Sequence, residues 1–266
     1  MQEIICDTMI WYGLANKSLQ RPDPKKFKLV CTYLTFLELA LTPNILKSFS
    51  EVQSAIQAII DNEPKLILQF PIENYRSQLF KETPKPFKPE DDLIFGFITM
   101  VFNSENLEHL KSSPNFKDLL WAIEARRLGK ADYSIFKNNL KSILQDAKMA
   151  YKKYYDKDLN KEEFRKNFLH ELNETQLIKI PETEIDWSLI EFYEKVRMNY
   201  MRRYRVSYQK HKANDQPDLD NMLYVQPGQK YWTLEKTWLN IFKEEKLEEY
   251  VYQNKGIEYL KEIGEW

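Results

Sequence analysis

Short apolar runs open and close the chain, and helical periodicities fill its middle. Residues 3–7, EIICD, are brief and rich in β-branched side chains, and 28–33, KLVCTY, have the same character, so both predict buried strands. Between them, RPDPKKF carries two prolines and mixed charge and predicts a loop. YLTFLELALTPNIL then starts helically until Pro43 disturbs it, which gives a β-α-β-α opening. From 51 onward the texture changes: SEVQSAIQAIIDNE is amphipathic at helical spacing, and KETPKPFKPEDD is a proline-rich connector. Further helices are predicted over 90–102, 105–112, 115–128, 133–155, 160–174 and 187–209, with IPETEID separating the last two. After 212 the first texture returns, with PDLDNMLYV as a short helix, KYWTLE as a strand and turn, KTWLNIFKEE as a helix and EEYVYQ as a last strand. No fixed-period repeat is present, so no solenoid is expected. The pattern predicts one sheet assembled from both chain ends, an α/β core over 1–65 and 213–266 around a mainly helical insertion over 66–212.

Composition narrows the class. A chain of 266 residues, 43% apolar and 14% aromatic with 6 glycines, has material for a sizeable helix-rich core. Its 39 basic and 40 acidic residues leave a net charge of −1, so whole-chain electrostatics favours neither nucleic acid nor an acidic partner. Cys6 and Cys31 both lie in strand-like runs, which predicts reduced, buried thiols and a cytoplasmic setting rather than a disulfide framework. Glu3 and Asp7 interrupt the first apolar stretch, so no signal peptide is expected, and no run of about 18 apolar residues predicts a membrane partner. The glycines form no GxGxxG or GKS/GKT pattern, which argues against a nucleotide-cofactor enzyme.

The candidate chemistry lies in acids at element ends. Asp7 ends the first strand run, Glu38 sits one turn into the helix after the second, Asp218 and Asp220 begin a short helix beside Pro217, and Glu235 follows YWTL. Each has an ordinary structural explanation: Asp7 bonded to the next helix's amides, Asp218 or Asp220 as an N-cap, Glu235 as a first-turn acid, Glu38 as the partner of a buried base. Taken together they meet at one place, because a parallel sheet gathers its strand ends at one edge. Anions that close repel unless a cation separates them. Oxygen donors suit a hard divalent ion, Mg²⁺ or Mn²⁺.

IICDTMIW, YLTFLELA, NDQPDLDNMLY and YWTLEKTWL, in this order, resemble the motifs of the PIN domain family of metal-dependent ribonucleases. The resemblance implies Asp7 as first acidic ligand, Glu38 as second and Asp218 as third, with Asp220 in reserve. It also implies Glu235 as the acid two residues after an orienting Thr233. Met9 stands where members commonly carry Asn, and Glu235 where Asp is commoner. Implied with it are a three-layer α/β/α fold with a central parallel sheet and endonucleolytic hydrolysis of RNA by Mg²⁺ or Mn²⁺ held on Asp7, Glu38, Asp218 and Glu235. A toxin or defence role and a protein inhibitor or homodimeric partner accompany that reading. The alternative, motivated by Met9 and Glu235, is a PIN-like fold that no longer cleaves and serves as an RNA-binding or assembly module.

One further segment stands out. KVRMNYMRRYRVSYQKHK holds Lys195, Arg197, Arg202, Arg203, Arg205, Lys210 and Lys212 without an acid, and Tyr200, Tyr204 and Tyr208 recur every four residues. On a helix that spacing makes a tyrosine stripe flanked by cations, the combination that stacks on bases and contacts phosphates. Equally, the stripe packs on neighbouring helices while the arginines face solvent or pair with acids of 156–194. Trp121, Trp187, Trp232 and Trp238 are expected as core anchors, WAIEARRLGKADY as a solvated helix end capped by Gly129, and His109 and His170 as ordinary residues.

Overall fold

The computed structural model describes residues 1–80, 92–126, 161–174, 180–207 and 215–252, apart from the side chains of 171, 174, 204–207 and 216. Four strands form one parallel sheet: β1 (Gln2–Cys6), β2 (Phe27–Thr32), β3 (Lys65–Ile67) and β4 (Lys230–Trp232), in the order β3-β2-β1-β4. Ile4 pairs with Leu29 on one side and with Lys230 on the other, and Cys6 pairs with Trp232. A strand between two parallel neighbours has water on neither edge, and β1 accordingly buries Ile4, Ile5 and Cys6 completely. Cys6 and Cys31 are free buried thiols, and burial pushes both up, which keeps them protonated.

Helices α1 (Thr8–Ala15), α2 (Tyr33–Ala40) and α3 (Phe49–Asn62) connect the first three strands. Thr32 caps α2 by accepting the Thr35 amide, and Pro43 begins a 3-10 turn at Pro43–Leu46, which accounts for the break seen in the sequence. Along α3, Val52, Ala55, Ile56 and Ile59 form the buried face, and α3 packs on α1. The helix stops at Glu63, whose φ of 45° turns the chain into β3. Next come α4 (Pro71–Leu79), α5 (Leu93–Asn103) and α6 (Leu107–Ser112).

The chain divides into two compact units, one of Met1–Ser113 with Pro181–Trp266, the other of Pro114–Ile180. The second unit falls within the 66–212 stretch expected to be a helical insertion. Before it in the chain, Phe95 of α5 lies 4.8 Å from Phe36 of α2, which fastens α5 to the α/β unit. After it, Phe192 of the Glu191–Ser207 helix lies 6.2 Å from Tyr231 of β4 and 5.2 Å from Phe242 of the Lys236–Glu244 helix. Within the second unit, residues 116–126 are helical and a helix spans Lys161–Glu174, with Phe164, Phe168 and Leu172 buried at helical spacing.

Several expectations need correction. EEYVYQ is no strand: a 3-10 turn at Glu248–Tyr250 leads to a single parallel bridge from Val251 to Tyr231. Strand β3 and helix α4 were not anticipated, because three residues with Leu66 exposed show no alternation to detect. Trp121 is 71% exposed, since Leu119, Ala122 and Ile123 occupy the buried face of that helix and Trp121 points elsewhere. Trp232 and Trp238 are buried as expected, while Trp187 is half-buried. The predicted helix over 133–155, the connector from 81 to 91, Gly129, Tyr208, Lys210 and Lys212 lie outside the described residues. Among the described residues, no helix is long and apolar enough to cross a membrane.

Because β1 is hydrogen-bonded on both sides, its core side chains have no room to relax. Ile5→Ala is expected to destabilise the α/β unit by about 2–5 kcal/mol, read as a lowered urea midpoint by circular dichroism.

Candidate functional site

The sheet order places β1 between β2, which follows it in the chain, and β4, which comes from the far end. Such a reversal opens a crevice beyond the carboxyl ends of the two strands. Asp7 directly follows β1 and Thr233 directly follows β4, and the Asp7 amide donates to the Trp232 carbonyl (3.0 Å), so the ladder runs up to the acid itself. Thr233 Oγ1 donates to Asp7 Oδ2 (2.7 Å) and accepts the Glu235 amide (3.2 Å). Thr233 thus links the Asp7 carboxyl to the backbone of residue 235. Both side chains are buried.

Asp7 occupies the N-cap position of α1, where its carboxylate makes no full capping hydrogen bond and the Met9 amide acts on it only weakly. Bonding to the amides of the next helix is therefore only a minor part of what holds it. Glu235 repeats the situation at the Lys236–Glu244 helix: it is the N-cap rather than a first-turn acid, and it too makes no side-chain cap bond. Thr8, the first residue of α1, donates to Glu38 Oε2. Asp218 lies in the first turn of the Asp215–Met222 helix, and its Oδ2 accepts the indole N–H of Trp238 (3.1 Å). The charge of Asp220 acts on the Tyr224 phenol.

Electrostatics ties the four acids together. Burial pushes the Asp7 carboxyl up to about 7, and the charges of Glu38 and Glu235 push in the same direction, while the Thr233 hydroxyl and, less strongly, the Met9 amide oppose them. Burial pushes Asp218 up to about 9, with Asp7, Glu38 and Glu235 adding to the effect and Trp238 opposing it. The structure thus brings Asp7, Glu38, Asp218 and Glu235 within electrostatic reach of one another. Among the described residues, no three His, Cys, Asp or Glu side chains converge as a ready ligand set. Asp7, Glu38 and Asp218 each accept a hydroxyl or indole donor. An all-oxygen donor set of coupled acids fits a hard divalent ion.

A second polar layer braces the site. Asn221 accepts from Thr32 Oγ1 (2.8 Å) and donates to the Tyr231 hydroxyl (3.5 Å), which links the Asp215–Met222 helix to the end of β2 and to β4. Sequence reasoning missed Thr8, Asn221 and Trp238. Asn221 is three residues beyond Asp218, a same-face spacing that could have found it, whereas an indole donor gives no polar signal in sequence.

The basic helix is more occupied than its composition suggested. Lys195 pairs with Glu191 (2.7 Å), and Arg197 donates to the Tyr193 hydroxyl (2.6 Å). Arg203 pairs with Glu244 (2.5 Å) and Arg202 with Glu245 (3.7 Å), so acids of 244–245 meet these two arginines. Tyr200 is buried, its ring 5.3 Å from Trp238 and its hydroxyl donating to Asp215 Oδ2 (2.8 Å). The side chains of Tyr204 and Arg205 lie outside the described residues.

The raised carboxyls fix the sign of a pH effect. In EDTA, the folded protein keeps protons on Asp7 and Asp218 that the unfolded chain releases near 3.8, so it binds more protons and loses stability as pH rises through about 7 and then 9. Their stabilising contribution is complete below about 4. Urea midpoints are expected to fall between pH 5 and 9 in the wild type and to fall less in Asp218→Asn. Equal slopes in the two proteins would show that Asp218 is not perturbed. The chain matches no protein-family model, no curated protein and no solved structure.

Proposed function

We propose that the protein is a PIN-like, divalent-metal-dependent endoribonuclease with a three-layer α/β/α core. The observation that carries this reading is the pair of buried carboxyls, Asp7 and Asp218, with Glu38 and Glu235 near enough to raise both. Asp7, Glu38, Asp218 and Glu235 hold one or two Mg²⁺ or Mn²⁺ ions, with Asp220 the reserve ligand. When bound, such an ion activates a water and offsets the charge that builds on the attacked phosphate. The protein's own part is orientation and proton release. Thr233 holds Asp7 by Oδ2 and Trp238 holds Asp218 by Oδ2, and both oriented carboxylates would serve as ligands to the ion. Asp7 and Asp218 give up their protons as they become ligands.

In this reading RNA enters along the basic helix. Arg202 and Arg203 exchange Glu244 and Glu245 for phosphates, with Arg197, Tyr204, Arg205, Lys210 and Lys212 extending the interface. Surface ion pairs are worth only about 0–1 kcal/mol, so a polyanion displaces them readily. The second reading, a non-cleaving PIN-like module that binds RNA or protein, is favoured by one observation. Asp7, Glu38 and Asp218 each already accept a hydrogen bond from within the protein.

Purified protein with Mn²⁺ or Mg²⁺ is expected to cleave labelled single-stranded RNA. Asp7→Asn and Glu38→Gln, folded by circular dichroism, are expected to fall to the EDTA baseline. Absence of both cleavage and Mn²⁺ binding in the wild type would select the non-cleaving module. Arg202→Ala and Arg203→Ala are each expected to weaken RNA binding and to lower the slope of log K against log salt by about 0.7 for every phosphate that the variant no longer neutralises. The same variants should change stability by less than about 1 kcal/mol.

A further inference from the structure

We infer that Trp238 and Tyr200 are positioning residues that fix Asp218 for metal binding, an inference that rests on the metal-site reading above. Trp238 is fully buried in the Lys236–Glu244 helix, and its indole N–H reaches Asp218 Oδ2 at 3.1 Å. A donor held by packing fixes the rotation of the carboxylate and selects the oxygen left for a cation. Tyr200 braces this donor from the neighbouring helix: its ring lies 5.3 Å from the indole at an interplanar angle of 41°. Its hydroxyl also binds Asp215, the first residue of the helix that carries Asp218. One tyrosine therefore holds both the donor and the start of the acid's own helix.

The bond is not a by-product of burying a tryptophan. Trp11 and Trp232 are equally buried, and their Nε1 atoms have no hydrogen-bond partner among the described residues. This core accommodates an indole without pairing its N–H, and among these three fully buried tryptophans the carboxylate bond falls at Trp238. Groups that orient metal ligands from behind typically change metal affinity about 10- to 100-fold when removed. The Glu191–Ser207 helix thereby acts on the site through Tyr200 at its buried face, whatever its arginines meet at the surface.

The test is Mn²⁺ affinity, measured by electron paramagnetic resonance, in wild type, Trp238→Phe, Tyr200→Phe and Asp218→Asn. Trp238→Phe keeps an aromatic ring and removes the N–H. It is expected to bind Mn²⁺ about 10-fold or more weakly while remaining folded, with Tyr200→Phe losing less. Rotating the carboxylate is a local effect, so the loss should persist under conditions where every variant is fully folded. A second measurement needs no Trp238 variant: the ¹H–¹⁵N signal of the Trp238 indole should shift when Mg²⁺ is added to wild type and stay fixed in Asp218→Asn. If Trp238→Phe does not fold, this signal decides. Wild-type affinity in Trp238→Phe, or an unmoved indole signal in metal-loaded wild type, overturns the inference and leaves the metal site standing. No Mn²⁺ binding by wild type overturns the metal-site reading and this inference with it.

Discussion

Two buried carboxyl groups within electrostatic reach of each other resist carrying charge together, and that constraint organises this end of the sheet. Desolvation and mutual repulsion push Asp7 and Asp218 upward, and the protein offsets the cost with aimed donors: a hydroxyl from Thr233 and an indole N–H from Trp238. Helix geometry helps as well. Asp7 and Glu235 each stand at the N-cap of a helix, where the macrodipole presents positive potential to an acid even without a capping hydrogen bond. A core without function would be more stable with apolar residues at these positions, because a buried charge that is not fully paired is a net cost.

The sequence exposed the parts of this arrangement that follow from local pattern. Apolar runs at 3–7 and 28–33 matched β1 and β2, because strands flanked on both sides are continuous in hydrophobicity. The sequence also pointed to Asp7, Glu38, Asp218 and Glu235, since acids beside apolar strand ends are chemically conspicuous. What it hid depended on tertiary partners. β3 is three residues long with its middle side chain exposed, and α5 joins the α/β unit through partners distant in sequence, such as Phe36 against Phe95 and Gln53 on the Phe102 carbonyl. Trp238 reads as a core residue from sequence, and it is one. Its second role appears only when the helix bearing Asp218 is laid beside it.

The basic helix shows how composition misleads in another way. Seven cations without an acid suggest an open electropositive surface, yet Arg202 and Arg203 meet Glu244 and Glu245 from a segment 41 or more residues away. The helix is two-sided. Phe192 and Tyr200 anchor it in the core, and exposed ion pairs hold its outer edge. A surface held this way can change its ionic partners while the buried face keeps its place.

The bond between Thr233 and Asp7 joins residues 226 positions apart. On the ribosome, Asp7 emerges long before the strand that will complete its surroundings has been made. Until β4 arrives, β1 has one open edge, and the acid at its tip stays hydrated, ionised and without its hydroxyl donor. Closing so long a loop is among the slow, entropically costly steps of folding. The surroundings of Asp7 are therefore complete only once the strand from the far end of the chain has joined the sheet.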